Sequence, residues 1–330
     1  DHGSEIMFDI AQFLISFVYF KKDKNRYECI RLLGPDEYHE NVDNNAFTNI
    51  QSRYALDKTI RIYELLKENN PAELSSLMEK LNLSEADVEN WCEVRDLLYI
   101  PEPDSETGII EQFDGYFKLE DTTPEVLETR LKDPGEYWGW PNGVAVETQV
   151  LKQADVVQLM ALHPHRYDRE TMKRNYEFYE PRTQHGSSLS PSVHNMVCTK
   201  IGHDDEAYRY FLKSCTVDLF NTNKAVSGGT FIGGIHTVAC GIAWQLVVHS
   251  FCGMNTHEGT LYCNPHLPEH WEAVEFPFQY RGNKLRFRIT STEIEAQEEN
   301  QNVGSVNLSS EGRQIQIQPG ETKKIRHSGA

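Results

Sequence analysis

No apolar run in this chain reaches the ~18 residues that a membrane-spanning helix needs, so nothing in it is expected to cross a membrane. Asp1 to Glu5 lack the charged-then-apolar order of a secretory leader. Cysteines form no CxxC pair: Cys29, Cys92, Cys198, Cys215, Cys240, Cys252 and Cys263 are an odd seven, widely spread. That spacing argues against a disulfide framework and a thiolate metal site; the expectation is reduced core thiols, no metal and a cytoplasmic location. Positive charge is short as well. Lys and Arg total 32 against 50 Asp and Glu, giving a formal net charge of -18. A nucleic-acid site needs a basic stripe and none is visible, so sugars or other neutral ligands fit better.

What is present is mostly helical patterning. The 330 residues allow one large domain, or a main domain with a small appendage. Ile6, Ile10, Phe13, Leu14, Phe17 and Val18 share one helical face, as do Ile235, Val238, Ala239, Ile242, Ala243, Leu246 and Val247. Further helices are expected over 44–67, 84–98, 147–162, 168–180, 190–201 and 204–220. Long helices with extended joining loops suggest an α-helical barrel or array. After Gly259 the period changes to two: Leu285, Phe287 and Ile289 alternate with Lys284, Arg286 and Arg288, and Ile315 and Ile317 with glutamines. With a turn expected at Gly282-Asn283, the last seventy or so residues read as a small antiparallel β domain.

The densest chemistry lies in Gly34-Pro35-Asp36-Glu37-Tyr38-His39-Glu40, followed by Asn41-Val42-Asp43-Asn44-Asn45. Pro35 breaks the preceding element, and Asp43, Asn44 and Asn45 are suitable caps for the next helix, so Glu37 is expected in a held position. An acidic turn that merely caps a helix is the plainer reading of this segment alone. Asp36 and Glu40 stand near Glu37 in sequence, and like charge there is expected to favour its protonated form. Lys152-Gln153-Ala154-Asp155 is expected to open a helix; Lys152 and Gln153 suit vicinal hydroxyls of a sugar or an ordinary solvated face. Trp138 and Trp140 stack on a pyranose or fill a core.

Two glycine- and serine-rich segments lead into helices. In Thr183-Gln184-His185-Gly186-Ser187-Ser188-Leu189-Ser190-Pro191, Ser190 is expected as N-cap with Pro191 in the first turn. Ser227-Gly228-Gly229 and Gly233-Gly234-Ile235-His236 precede the second apolar-faced helix. Helix N-termini favour anions by about 0.3–1 kcal/mol each, so the two segments together suit phosphate; each alone is an ordinary capped helix.

In this order, 34–45, Lys152-Gln153, 185–190 and 233–236 resemble the motifs of glycoside hydrolase family 65, in particular its kojibiose, maltose, nigerose and trehalose phosphorylases. The resemblance implies a mainly α fold: the C-terminal part of an α/α barrel (six-hairpin toroid) over 1–255 and a small antiparallel, β-sandwich-like domain over 256–330. It implies Glu37 as general acid, Lys152 and Gln153 as glucosyl contacts, and Ser187, Ser188, Gly234 and His236 as phosphate contacts. The family's N-terminal β-sandwich, early barrel helices and Trp-Asp pair have no counterpart here, which implies a homodimer or a complementing N-terminal region as partner. Hydrolytic relatives carry a base just before the glycine-rich turn, where this chain reads Phe220-Asn221-Thr222-Asn223-Lys224. The implied reaction is inverting phosphorolysis of an α-glucosyl disaccharide to β-glucose 1-phosphate and glucose, with no cofactor and inorganic phosphate as co-substrate. The alternatives are an inverting α-glucosidase and a non-catalytic truncated remnant. Gly186 stands where an acidic residue is frequent in the family, leaving linkage preference open.

Overall fold

The computed structural model describes residues 2–220, 234–257, 259–299 and 303–328. The chain forms two compact units, residues 1–185 and 186–330. In the first, α1 (His2–Phe17) packs on α2 (Ala46–Asn69), followed by α3 (Pro71–Lys80) and α4 (Glu85–Leu97). Asn45 caps α2, its side chain accepting from Thr48 N at 2.9 Å. At α4, Ser84 N donates to Asp87 Oδ2 at 2.8 Å, the acidic arm of a capping box. Phe8, Ala11, Leu14, Leu56, Ile60, Trp91 and Val94 build the core between these helices. Two short hairpins, β1 (Tyr19–Lys21) with β2 (Arg26–Glu28) and β3 (Leu32–Leu33) with β4 (Glu40–Val42), lead from α1 into α2. The sequence reading placed no strands there.

The expected face of α1 is not the one it buries. Phe8, Ala11 and Leu14 are buried, whereas Ile6 is 59% and Phe13 61% exposed. The expected helix over 147–162 is also shorter. Only α6 (Val156–Leu162) forms, because 147–152 is drawn into tertiary backbone pairing: Glu120 N donates to Glu147 O, Gln149 N to Glu120 O and Leu151 N to Arg182 O. The short α5 (Pro124–Glu128) precedes this segment, and α7 (Arg169–Tyr179) follows α6, capped by Asp168.

In the second unit, α8 (Ser190–Ile201) and α9 (Asp204–Cys215) pack together, with α10 (Thr237–Gln245) against both and a π-turn at Leu246–Phe251. Ser190 is the first residue of α8, so the cap falls to Leu189 and Pro191 moves one place inward. The 204–220 helix stops at Cys215, where Thr216 Oγ1 donates to the Leu212 carbonyl at 2.7 Å. Among the described residues eight further strands follow, β5 (Met254–His257), β6 (Thr260–Cys263), β7 (Val274–Tyr280), β8 (Asn283–Ile289), β9 (Glu293–Glu298), β10 (Val306–Ser310), β11 (Arg313–Ile317) and β12 (Thr322–Arg326), in two four-stranded sheets ordered β11-β10-β6-β5 and β12-β9-β8-β7. Within β8 (Asn283–Ile289), Leu285, Phe287 and Ile289 are buried and Lys284, Arg286 and Arg288 exposed, as the alternation predicts. The turn from β7 (Val274–Tyr280) is Arg281-Gly282, one place earlier than expected, with φ 50° and 79° at its two residues. The β region is not wholly antiparallel: β10 (Val306–Ser310) runs parallel to β6 (Thr260–Cys263).

All seven cysteines are free thiols. Cys29, Cys198, Cys252 and Cys263 are core residues, but Cys240 is exposed. Among the described residues no helix is long and apolar enough to cross a membrane, and no cluster of three His, Cys, Asp or Glu side chains suits a metal.

Candidate active site

Glu37 lies in the loop between β3 and β4, and its carboxylate meets Lys152 and Gln153 from a segment more than a hundred residues away. Lys152 Nζ donates to Glu37 Oε2, while Gln153 Nε2 donates to Glu37 Oε1 at 3.0 Å and also to the Pro35 carbonyl. Tyr137 Oη adds a 2.8 Å hydrogen bond to the Glu37 carbonyl. The glutamate is therefore held on both its backbone and its side chain, while that side chain remains 44% exposed. Lys152 and Gln153 precede α6 rather than opening it, so the extended backbone that cut the expected helix short is what aims them at Glu37.

Asp36 faces inward, away from the role of like-charge neighbour. Its Oδ1 accepts from Tyr38 N at 3.2 Å and Lys152 N at 2.9 Å, and its Oδ2 lies 2.6 Å from His39 Nδ1 and 3.3 Å from Gln112 Nε2. His39 Nε2 reaches the Thr148 carbonyl at 2.8 Å. A carbonyl only accepts, so Nε2 carries hydrogen, and pairing with the Asp36 carboxylate calls for hydrogen on Nδ1 too. Burial alone would depress the His39 pKa, but the Asp36 hydrogen bond and charge outweigh it and the net shift is upward.

Asp155 lies beneath, its Oδ2 accepting from Asn45 Nδ2 at 2.9 Å and Asp36 N at 3.3 Å. Complete burial, then the Asp36 charge, push its carboxyl up to about 7. Gly34 makes room for this layer: a Cβ there would stand 2.6 Å from Asn45 Nδ2 and 2.7 Å from Asp155 Oδ2. Gly34→Ala is accordingly expected to destabilise the chain by about 1–3 kcal/mol, read from the denaturant midpoint. An unchanged midpoint would mean that the loop has room to yield. Trp138 is buried beside Tyr38 with ring centroids 6.2 Å apart, so it fills a core rather than offering a face to a sugar. Trp140 is 42% exposed.

The expected phosphate contacts lie in the second unit. Ser187 and Ser188 are half-buried just before α8, and Ser187 Oγ accepts from Leu189 N at 3.3 Å. Gly234 has φ 85° in open space, a backbone conformation that favours glycine. His236 occupies the N-cap position of α10, where Asp218 grips it twice: His236 N donates to Oδ2 at 2.8 Å, and Nδ1 meets Oδ1 at 2.7 Å. Ser227-Gly228-Gly229, Gly233 and the 221–224 stretch lie outside the described residues.

The structure thus joins Glu37, Lys152 and Gln153 in one hydrogen-bonded group and sets Ser187, Ser188, Gly234 and His236 at two helix N-termini of the other unit. Sequence reading brought out His39 and Asp155 only as members of their segments, with no role of their own, and missed the inward role of Asp36 and the contacts of Tyr137 and Asp218. Asp155 left a faint signal as an acid directly before the apolar run Val156-Val157.

These loops and helices are those of a known enzyme family. Residues 1–245 match the central catalytic domain of glycosyl hydrolase family 65 and residues 254–317 its C-terminal domain, and the chain belongs to that family. It is 49% identical over 89% of its length to 1,2-alpha-glucosylglycerol phosphorylase from Bacillus selenitireducens, covering 38% of that protein. It is 39% identical over 88% of its length to kojibiose phosphorylase from Caldanaerobacter subterraneus subsp. tengcongensis, and covers 37% of it. The fold is shared with a solved structure from the human microbiome assigned as a kojibiose phosphorylase: TM-score 0.83, 23% identity, 98% of this chain and 43% of that one. The mainly helical architecture with a small β region at the C-terminus is thereby borne out. The chain spans less than half the length of these relatives.

Proposed function

We propose that this chain carries the acid, glucosyl and phosphate contacts of an inverting α-glucoside phosphorylase. The observation that carries the reading is the convergence of Lys152 and Gln153 on the carboxylate of Glu37. In the proposed reaction, a phosphate oxygen forms a bond to the anomeric carbon as the bond to the glycosidic oxygen breaks. Glu37 gives its proton to that leaving oxygen, and β-glucose 1-phosphate and the free leaving group depart. The Glu37 carboxylate then regains a proton from solvent. Phosphate is already a nucleophilic anion, so no second carboxylate is needed to activate water. Lys152 and Gln153 bind the glucosyl hydroxyls; Ser187, Ser188, the Gly234 backbone and His236 bind phosphate at two helix N-termini, and no cofactor takes part.

The leaving group is a sugar, as in the kojibiose, nigerose and maltose phosphorylases that are this chain's relatives, or glycerol, which the 49% identity to a glucosylglycerol phosphorylase favours. We place the catalytic region in 1–255, with 256–330 as an appended domain, in a cytoplasmic enzyme. The exposed apolar residues of α1, Ile6, Ile10, Phe13 and Phe17, and of α10, Val238 and Trp244, support cover by a complementing N-terminal region or a second copy.

The test is turnover of glucosylglycerol, kojibiose, nigerose, maltose and trehalose, with and without phosphate, by the chain alone and by the chain joined to the rest of a full-length relative. Phosphate-dependent turnover is expected; turnover indifferent to phosphate would make the enzyme an inverting α-glucosidase. Inactivity of both proteins, with no calorimetric binding of glucose or phosphate, would leave a non-catalytic remnant. The phosphate assignment has its own signature. A hydrogen bond to a charged group contributes about 1.5–3 kcal/mol, so Ser188→Ala and His236→Ala should raise the KM for phosphate about tenfold to a hundredfold. The KM for the glucoside should stay within about twofold, and equal rises in both would refute the assignment.

A further inference from the structure

Asp36 and Asp155 are each 1% exposed behind the acid loop and have no part in the chemistry proposed above. Five stretches of chain meet on them. These are the loop 34–39, the Asn45 cap of α2, Gln112, the Thr148–Lys152 backbone and Asp155 itself, the residue just before α6. One oxygen, Asp36 Oδ1, takes the amide of Tyr38, the neighbour of Glu37, and the amide of Lys152, whose side chain touches Glu37. The acid and the lysine thus share a single buried fastening point.

Stability alone does not account for this layer. A buried ion pair such as Asp36–His39 is often no more stable than apolar packing of the same volume. Beside it, Asp155 Oδ1 is buried with no hydrogen-bond partner, which is unfavourable by about 1–3 kcal/mol. What the layer does provide is registration. Asp36 and Asp155 Oδ2 together fix the backbone of 36–38 against that of 152–155, and His39 compensates the Asp36 charge where water cannot.

We propose that Asp36, charge-paired with His39 and backed by Asp155, is the positioning residue that holds Glu37 in register with Lys152. The inference rests on the acid role proposed for Glu37. A displacement of about 1 Å in a catalytic group lowers turnover by on the order of 10²-fold. Asp36→Ala removes the shared acceptor and is expected to lower kcat for an unactivated glucoside on that order, with the KM for phosphate within about twofold. Asp36→Asn keeps one acceptor oxygen but sets an amide against Gln112 Nε2, so its loss is smaller, several-fold, and it keeps the test alive should the alanine variant not fold. Glucosyl fluoride, whose leaving group needs little protonation, restores most of the rate in both variants. Wild-type kcat in Asp36→Asn, or equal losses with the fluoride donor, overturns the proposal.

Two measurements on the chain itself separate this inference from the acid assignment. Nitrogen NMR at pH 7 is expected to show both His39 ring nitrogens protonated, and one only in Asp36→Asn; a neutral imidazole in the unaltered chain contradicts the fastening point. Should Glu37→Gln turn out fully active, the acid assignment fails. Hydrogen exchange at the Tyr38 and Lys152 amides then decides for Asp36: faster exchange in its variants supports positioning, and unchanged exchange overturns it.

Discussion

Glu37→Gln is expected to lower turnover of an unactivated glucoside by about 10²–10⁴-fold, the range supplied by a well-placed general acid. Glutamine keeps the length and planarity of the side chain, and its carbonyl can still accept from Lys152 Nζ; its amide nitrogen then faces the Gln153 Nε2 donor, but the side chain is 44% exposed and water can serve both groups, so folding should be little affected. What it lacks is the proton for the departing oxygen. A glucosyl donor with fluoride or a nitrophenol as leaving group needs little protonation and should recover part of the lost rate. The same donor should do nothing for Ser188→Ala or His236→Ala, because those changes act on the nucleophile. If the activated donor helps Ser188→Ala and fails to help Glu37→Gln, the acid and anion roles have been assigned to the wrong residues.

Asp155→Asn is expected to stabilise the chain at pH 8. In the folded chain the Asp155 carboxyl titrates at about 7 because it is fully buried and faces the Asp36 charge, against 3.8 when unfolded. Between those values the unfolded chain has released this proton and the folded chain keeps it, so rising pH favours unfolding by about 1.4 kcal/mol per unit. Above about 7 both states are ionised and the whole penalty is present. His39, whose pKa is raised, acts in the same direction: its contribution is complete below the ordinary histidine value and is lost as pH rises through the folded one. Asparagine resembles the protonated carboxyl and removes the Asp155 part, together with the small share of the His39 shift that the Asp155 charge supplies. Chemical denaturation should therefore show the variant exceeding the unaltered chain by a few kcal/mol at pH 8, with the gap closing towards pH 4. A variant less stable at pH 8 would mean that the buried carboxylate finds compensation there.

Much of this arrangement was legible in the sequence, and the misses have identifiable causes. Local signals carried α2, α4 and α7 because capping is short-range: Asn45, Ser84 and Asp168 each bond within three residues. The missed α3 carried a legible start as well, Asn70 as cap and Pro71 at the first position. The long helix expected at 147–162 failed because its first half is claimed by Glu120, Arg182 and Asp36, partners that no local window contains. The face of α1 was misjudged for a related reason, since periodicity reports an apolar stripe and not which side meets a neighbour. Glu37, Lys152 and Gln153 were found by motif, but their mutual contact was not. Asp36 was read as an electrostatic neighbour of Glu37 because adjacent residues are close in sequence, whereas the turn sends their side chains to opposite sides: one to Lys152 Nζ, the other to buried His39.

The central claim is phosphorolysis with inversion, and proton and phosphorus NMR of the products tests it most directly. With phosphate and a glucoside accepted by the chain joined to the rest of a full-length relative, β-glucose 1-phosphate should appear mole for mole with the released sugar or glycerol, and neither product should form without phosphate. Free glucose as the only glucosyl product, or the α anomer of glucose 1-phosphate, would contradict the account.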